Sequence, residues 1–301
     1  MMITKKNFLK LKPTEASEEL ITDSFFGDFI RCFYKNKMAV ISMCVIFVIA
    51  FISICAPFFA PYNPYKVNMS LQFQNPSLKH WIGTDMYGRD VLSRLIYGSR
   101  ISLLIGIVPT VISMAIGIVV GTISGYYGGK IDFFLMAISD MVLAFPSLLL
   151  AMVVMYTLGG SLLNIFIALS VIGWAQSARV VRSQTMALKN REFIEAAKAI
   201  GVNNITIMLR HILPNCIPQL IVLFTLNIPS SILSEASLSF LGVGAQPPAA
   251  SWGLMVSNGK EYIFNAPWVT ISPGIAILIV VLAFNFLGDG FRDALDPYLK
   301  Q

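Results

Sequence analysis

Residues 192–214 read EFIEAAKAIGVNNITIMLRHILP, a polar island between long apolar segments. Phe193, Ile194, Ala197 and Ile200 recur at helical spacing, while Glu192, Glu195 and Lys198 mark another face. Gly201 suits the residue just past a helix end, where positive φ is often needed. Asn203 or Asn204 can cap a second helix, whose stripe is Ile205, Met208, Leu209 and Ile212. Pro214 suits the first turn of a further helix, where its missing N–H costs nothing. The stretch therefore predicts two short helices joined by a turn. Such a hairpin either lies on lipid headgroups or docks as a rigid knob into a soluble partner. An amphipathic pattern alone does not choose between them.

The surrounding composition supplies the membrane. The 301 residues are 56% hydrophobic and 13% charged, with a mean hydropathy of +0.71. A soluble domain carries roughly twice that charged fraction. The net charge of +6 is better assigned to basic loops at a membrane than to nucleic acid, which is not an expected partner. Cys32, Cys44, Cys55 and Cys216 form no C-x-x-C pair, and His80 and His211 stand far apart, so neither a metal site nor a disulfide framework is readable.

Six segments reach the ~20 residues a bilayer requires. They lie near 38–60, 101–126, 132–158, 161–187, 215–240 and 271–290. Residues 1–37 form a polar tail in which Phe25, Phe26, Phe29, Ile30 and Phe33 predict an interfacial helix. A signal peptide is rejected, because the charged leader and the run from Met38 to Ala60 are both too long for one. The lysine and arginine bias puts both termini, and with them the 192–214 hairpin, in the cytoplasm.

In the loop at 61–99, Gly83-Thr84-Asp85 reads as a turn, with Asp85 able to cap the next helix and 90–100 helical. Gly117, Gly121 and Gly125 recur every four residues and predict close helix packing. The run from Ser124 to Ile131 fails the Walker pattern at both those ends, so no ATP site is expected on this chain. Pro247-Pro248 forbids a helix within 240–253, and Trp252, Tyr262 and Trp268 suit a membrane–water interface. Two carboxylates, Asp140 and Glu235, fall inside apolar segments. Each either lines a polar substrate path or bonds internally to a neighbouring helix. Ser230, Ser231, Ser234 and Ser237 surround Glu235, beyond Pro229.

Glu195-Ala196-Ala197, then Gly201 after three residues, then His211-Ile212-Leu213-Pro214 after nine, resembles the EAA loop in membrane subunits of bacterial ABC importers. The His-Ile-Leu-Pro-Asn form is similar to the peptide and nickel branch. HWIGTDMYGRD at 80–90, GAQPP and SWG between 244 and 253, and LAFNFLGDGFRDALDPYLK at 282–300 also resemble dipeptide and oligopeptide permease subunits. The resemblance implies an all-α type I ABC importer transmembrane domain with six membrane helices. Its core would span 100–290, its coupling loop 188–214 and its C-terminal tail 291–301. It assigns ATPase coupling to Glu195, Ala196, Ala197, Gly201, Leu213 and Pro214. It implies a heterodimer with a second homologous permease, one or two kinds of ABC ATPase subunit and an extracytoplasmic binding protein, all in the bacterial inner membrane. ATP and Mg2+ would sit on the partner ATPases, leaving this chain non-catalytic and without a cofactor. The substrates of the family include dipeptides, longer peptides, glutathione and nickel chelates, moved by alternating access.

Two other classes compete. A secondary transporter driven by an ion gradient needs coupling carboxylates or unwound binding helices in repeated halves, and no internal repeat is visible. A membrane hydrolase needs a constellation such as H-E-x-x-H or G-x-S-x-G, which the sequence lacks.

Overall fold

The computed structural model describes residues 25–295. Most of the polar tail and the DPYLK ending lie outside these residues. The described chain is built from helices.

α1 (Phe25–Lys35) and α2 (Lys37–Ile54) meet at Asn36, whose side chain accepts the Ala39 N–H at 3.2 Å. The expected interfacial helix is present, but its aromatic side is not left for lipid alone. Phe33 is buried and its ring lies 5.3 Å from that of Phe291, near the end of the last helix. The first expected span stops early, at Ile54, and a short α3 (Ala56–Phe59) comes next with Pro57 in its first turn.

α4 (Val91–Tyr127) is a single helix of 37 residues, about 55 Å long at ~1.5 Å per residue. It starts inside a polar collar formed by the preceding loop. Asp90, not Asp85, caps it, accepting the Ser93 N–H at 2.7 Å. Asp85 instead folds its own turn, accepting the N–H groups of Tyr87 and Arg89 and the Arg89 Nε at 2.7 Å. The other Asp90 oxygen meets His80 Nδ1 at 2.8 Å.

α5 (Gly129–Ala144) and α6 (Ser147–Leu158) replace the single span expected at 132–158. They meet at 89°. Pro146 is the cause: its ring pushes Phe145 out of the helical region, to φ −90° and ψ 142°. α7 (Leu162–Leu188) begins at the Ser161 cap and packs along α4. The glycine stripe makes that contact possible. A Cβ on Gly117 would lie 2.5 Å from the Ser177 Cβ, and one on Gly121 would lie 2.5 Å from the Ala178 carbonyl.

α8 (Glu192–Ala199) and α9 (Asn204–Ile207) come next, then a π-helical turn (Met208–Ile212), then α10 (Leu213–Phe240). α9, the π turn and α10 run on as one rod of 37 residues. α11 (Trp252–Gly259) and α12 (Pro267–Leu295) complete the described chain. Between α10 and α11 the prolines exclude helix, as expected.

The main core joins α4, α10, α11 and α12 through Leu103, Ile228, Ile232, Trp252 and Phe284. Trp252 and Trp268 are therefore not simply interface anchors. The Trp252 indole is buried and donates to the Leu95 carbonyl at 2.9 Å, while Trp268 donates to that of Thr84 at 3.2 Å. Each indole finds a backbone acceptor, Leu95 in α4 or Thr84 in the collar, which satisfies its N–H as the ring packs inward. Among the described residues, five helices are long and apolar enough to cross a membrane, and the bent α5–α6 pair supplies the sixth crossing if it counts as one span.

Candidate functional site

Two features stand out, the α8–α9 hairpin at one end of the bundle and a polar cavity within it. α10 connects them.

The hairpin closes on itself. Gly201 has φ +81°, its N–H donates to Lys198 at 3.0 Å, and the Val202 N–H reaches back to Ala197 at 3.1 Å. This pair of bonds is a Schellman motif, which satisfies carbonyls at a helix end and requires a left-handed residue. Asn203 then caps α9, accepting the N–H groups of Ile205 at 2.7 Å and Thr206 at 3.1 Å. Ile194, Ala197, Ile207, Ile212 and Cys216 form a small core of the hairpin's own. The Tyr126 hydroxyl donates to Asn204 at 2.7 Å and ties the hairpin to the end of α4.

The sequence-predicted coupling residues divide on this geometry. Glu195 and Ala196 are exposed, Gly201 shapes the turn, Leu213 is half-buried and Pro214 is exposed. Ala197 is buried in the hairpin core, so its small side chain serves internal packing and does not present a surface. Beside Ala196, Phe193 and the 81%-exposed Ile200 share a face by their spacing, and Ile205 and Leu209 are exposed on the other arm. Apolar side chains this exposed outside the hairpin's own core form a patch of the kind that meets a protein partner or a membrane surface.

Pro214 sits in the first turn of α10, as expected, but no gap separates the hairpin arm from the span. Pro214 has no N–H for the carbonyl one turn back, that of Arg210. The chain answers by widening that turn, and the Leu213 N–H bonds to Met208, five residues earlier. The hairpin arm thus passes into α10 without a break.

α10 then walls a cavity of about 390 Å³, bounded also by α4, α6, α7 and the end of α5 at Leu143. Ser230, Ser231, Ser234 and Ser237 line it, with Asn227 on the same helix. Thr110 and Ser113 face them from α4, and Gln176 from α7. The Thr110 and Ser231 hydroxyls approach to 3.2 Å. The lining is uncharged and mixes these polar groups with apolar ones, among them Leu143, Leu148, Leu169, Ile172 and Leu233, so it offers donors and acceptors on a partly apolar wall. Asn227 and Gln176 were not singled out from sequence. Uncharged amides inside apolar helices were the signal available for them.

Glu235 is not part of this lining. It is 1% exposed, and its Oε1 accepts the hydroxyls of Ser239 at 2.7 Å and Ser251 at 2.9 Å. It fastens the 241–251 loop to α10. Of the serines grouped with it in sequence, Ser230, Ser234 and Ser237 point away from it around the helix, and Ser231 lies one turn earlier on the same side, beside Thr110. Asp140 does find a neighbouring helix, pairing with Arg179 of α7 at 2.5 Å. Nearer the hairpin end, Asp132 of α5 holds Arg182 of α7 through two bonds, at 2.5 and 2.6 Å, and also accepts the Ser124 hydroxyl of α4. That network clasps three helices together.

Residues 117–301 match the family model for the binding-protein-dependent transport system inner membrane component, and residues 24–76 match the N-terminal TM domain of oligopeptide transport permease C. The chain is 44% identical to a dipeptide transport system permease protein of Alkalihalophilus pseudofirmus, over 89% of this chain and 88% of the relative. A glutathione transport system permease protein of Escherichia coli is 43% identical over 91% of this chain and 90% of its own length. An oligopeptide transport system permease protein of Bacillus subtilis is 39% identical, covering 92% and 91%. Among solved structures, a chain of the inward-facing MetNI methionine ABC transporter superposes with a TM-score of 0.55. It covers 67% of this chain and 96% of that chain at 22% identity, a likeness of fold.

Proposed function

This chain belongs to the family of binding-protein-dependent transport inner membrane components, and from that premise we propose that it forms one wall of an ATP-driven importer for di- and oligopeptides. The names of its relatives cover dipeptides, oligopeptides and glutathione, all of them peptide-like solutes. The observation that carries the reading is the unbroken passage from hairpin to cavity wall. α9, the π turn and α10 make one rod about 55 Å long, docking-competent at one end and serine-lined along its course.

The mechanism rests on that rod. The hairpin seats in a cytoplasmic ABC ATPase through Phe193, Ala196, Ile200 and the neighbouring Glu195. ATP, held with Mg2+ on the ATPase subunits, draws those subunits together. The hairpin moves with its socket, α10 tilts, and the cavity wall shifts relative to α4 and α7. Access to the cavity passes from one side of the membrane to the other, and hydrolysis returns it. A second homologous permease closes the open side of the path, and an extracytoplasmic binding protein delivers the solute. Both termini lie in the cytoplasm, as the lysine and arginine bias supports. The chain itself performs no hydrolysis.

Reconstitution tests the energy source. The assembled complex in liposomes, with ATP inside and an ionophore collapsing ion gradients, is expected to accumulate peptide at an unchanged rate. Uptake that stops with the ionophore, or runs without ATP, assigns the chain to gradient-driven transport instead.

A further inference from the structure

α5 and α7 are joined by two aspartate–arginine pairs, and the two are built differently. Asp132 and Arg182 are two-pronged, bonded to Ser124 and largely enclosed, with side chains 18% and 31% exposed. Asp140 and Arg179 share one hydrogen bond, from Nη2 to Oδ1, and their side chains are 61% and 52% exposed. The first pair has the geometry of a clasp. The second leaves a carboxylate oxygen and most of the guanidinium edge presented outward.

Their position says what they face. On α7 the cavity is lined by Leu169, Ile172, Gly173 and Gln176, and Arg179 comes after Gln176 at the next helical step. On α5 the cavity is lined by Leu143, and Asp140 precedes it by the same step. Both charges therefore continue the cavity-lining faces, about one turn nearer the hairpin end. Asp140 lies roughly 16 Å along α5 from its start, within the membrane-spanning part of the bundle. Exposed charges at that depth are costly against lipid and belong on a wet path or against protein.

The cavity supplies hydrogen bonds but no countercharge, and a peptide with free ends carries an ammonium and a carboxylate. We propose that Asp140 and Arg179 are specificity-determining residues at the inner end of the path, where their mutual bond opens to receive the two charged ends of a zwitterionic peptide. The ammonium meets Asp140, and the carboxylate meets the planar guanidinium fork of Arg179. Each partner loses one charged contact and gains another, so no charge is left unpaired at any stage. This deepens the reading of the cavity as the peptide path and rests on it.

The test uses the assembled transporter in proteoliposomes, with binding protein saturated by trialanine. Asp140→Asn and Arg179→Gln are each expected to lower trialanine uptake about tenfold while the complex assembles in normal yield. The double variant Asp140→Asn/Arg179→Gln is expected to be at least as slow as either single one, because the lost contacts are with the peptide. Recovery in the double variant overturns the proposal, since it means the two residues serve only each other. So does a loss of the same factor for trialanine and N-acetyl-trialanine in Asp140→Asn. Failure of the second permease to co-purify with the single variants also overturns it and makes the pair a subunit contact. The underlying path is tested separately by Ser230→Phe and Ser234→Phe, which fill the cavity. Unchanged uptake in those two removes the path itself, whereas blocked uptake there with normal uptake in the charge variants removes only the role of the pair.

Discussion

Gly201 offers the sharpest test of the hairpin, because its surroundings separate two explanations for a glycine. Nothing lies within 4 Å of a Cβ built on it, so a side chain there meets no neighbour in this chain. Its φ of +81° is the whole intramolecular cost. For an ordinary L-residue the left-handed region costs roughly 1–2 kcal/mol, less for asparagine and more for a β-branched residue. If docking requires the closed turn, that cost appears as up to about a 5- to 30-fold weakening of ATPase association. The series Gly201→Asn, Gly201→Ala and Gly201→Val is therefore expected to weaken binding progressively, asparagine least and valine most. The assay is dissociation of the ATPase subunit from the immobilised membrane complex, with membrane insertion checked in parallel. If crowding against the ATPase were the cause, alanine, the smallest, would be the mildest and asparagine would fall with valine. That order, or a flat series, refutes the turn-based account.

Three further outcomes are set by the packing. Ala196→Glu should leave the hairpin folded and block the ATPase, whereas Ala197→Glu buries an unpaired charge at a cost of several kcal/mol and should open the hairpin itself; proteolysis at 192–214 distinguishes them, and equal resistance in both variants contradicts the buried position of Ala197. Glu235→Gln keeps an acceptor for Ser239 and Ser251 and should assemble and transport like the parent, while Glu235→Leu strands both hydroxyls and should cost about 1–3 kcal/mol, read as a lower melting temperature in detergent. A stable Glu235→Gln complex that no longer transports would return Glu235 to the path. Gly121→Leu drives a side chain into the Ala178 carbonyl and Val181, so α4 and α7 must part and the yield of folded complex should fall sharply; a normal yield argues against this contact as the axis of the bundle.

The apolar segments, the hairpin turn and the glycine stripe were all legible, because each depends on local pattern or on a backbone only glycine tolerates. Gly201, Asn203 and Gly117 do what their residue types suggest. What stayed hidden was direction. Glu235 and Ser234 are neighbours in sequence, yet one is enclosed with Ser239 and Ser251 while the other lines the cavity. Depth alone marks a carboxylate as costly, but only the facing helix decides whether a hydroxyl or a solute compensates it. Ala197 was misplaced for a similar reason. A small residue permits close approach equally well to a partner or to its own hairpin, and Ile194, Ile207 and Ile212 were there to take the space.

Pro214 shows how a correct local rule produced an incomplete picture. A proline is tolerated in a first helical turn, and on that rule the hairpin ended where the span began. The alternative accommodation, a widened turn, needs no break, and Met208–Ile212 adopts it. The difference matters for the proposed mechanism. Two separate helices would need a contact surface to pass motion from the ATPase to the cavity, and any slack in it would absorb small displacements. A helix that runs on from the hairpin needs none at that junction, and Pro218 and Pro229 are then the places along α10 where bending concentrates. Ser230 lies roughly 25 Å along α10 from the π turn, so a tilt of about 10° there moves it by roughly 4 Å. That is more than the width of a water molecule, across a cavity whose opposite walls, α4 and α7, are locked together by the glycine contacts. The hairpin sits between α7 and α10, so in the proposed mechanism α10 is the wall that shifts against the α4–α7 pair.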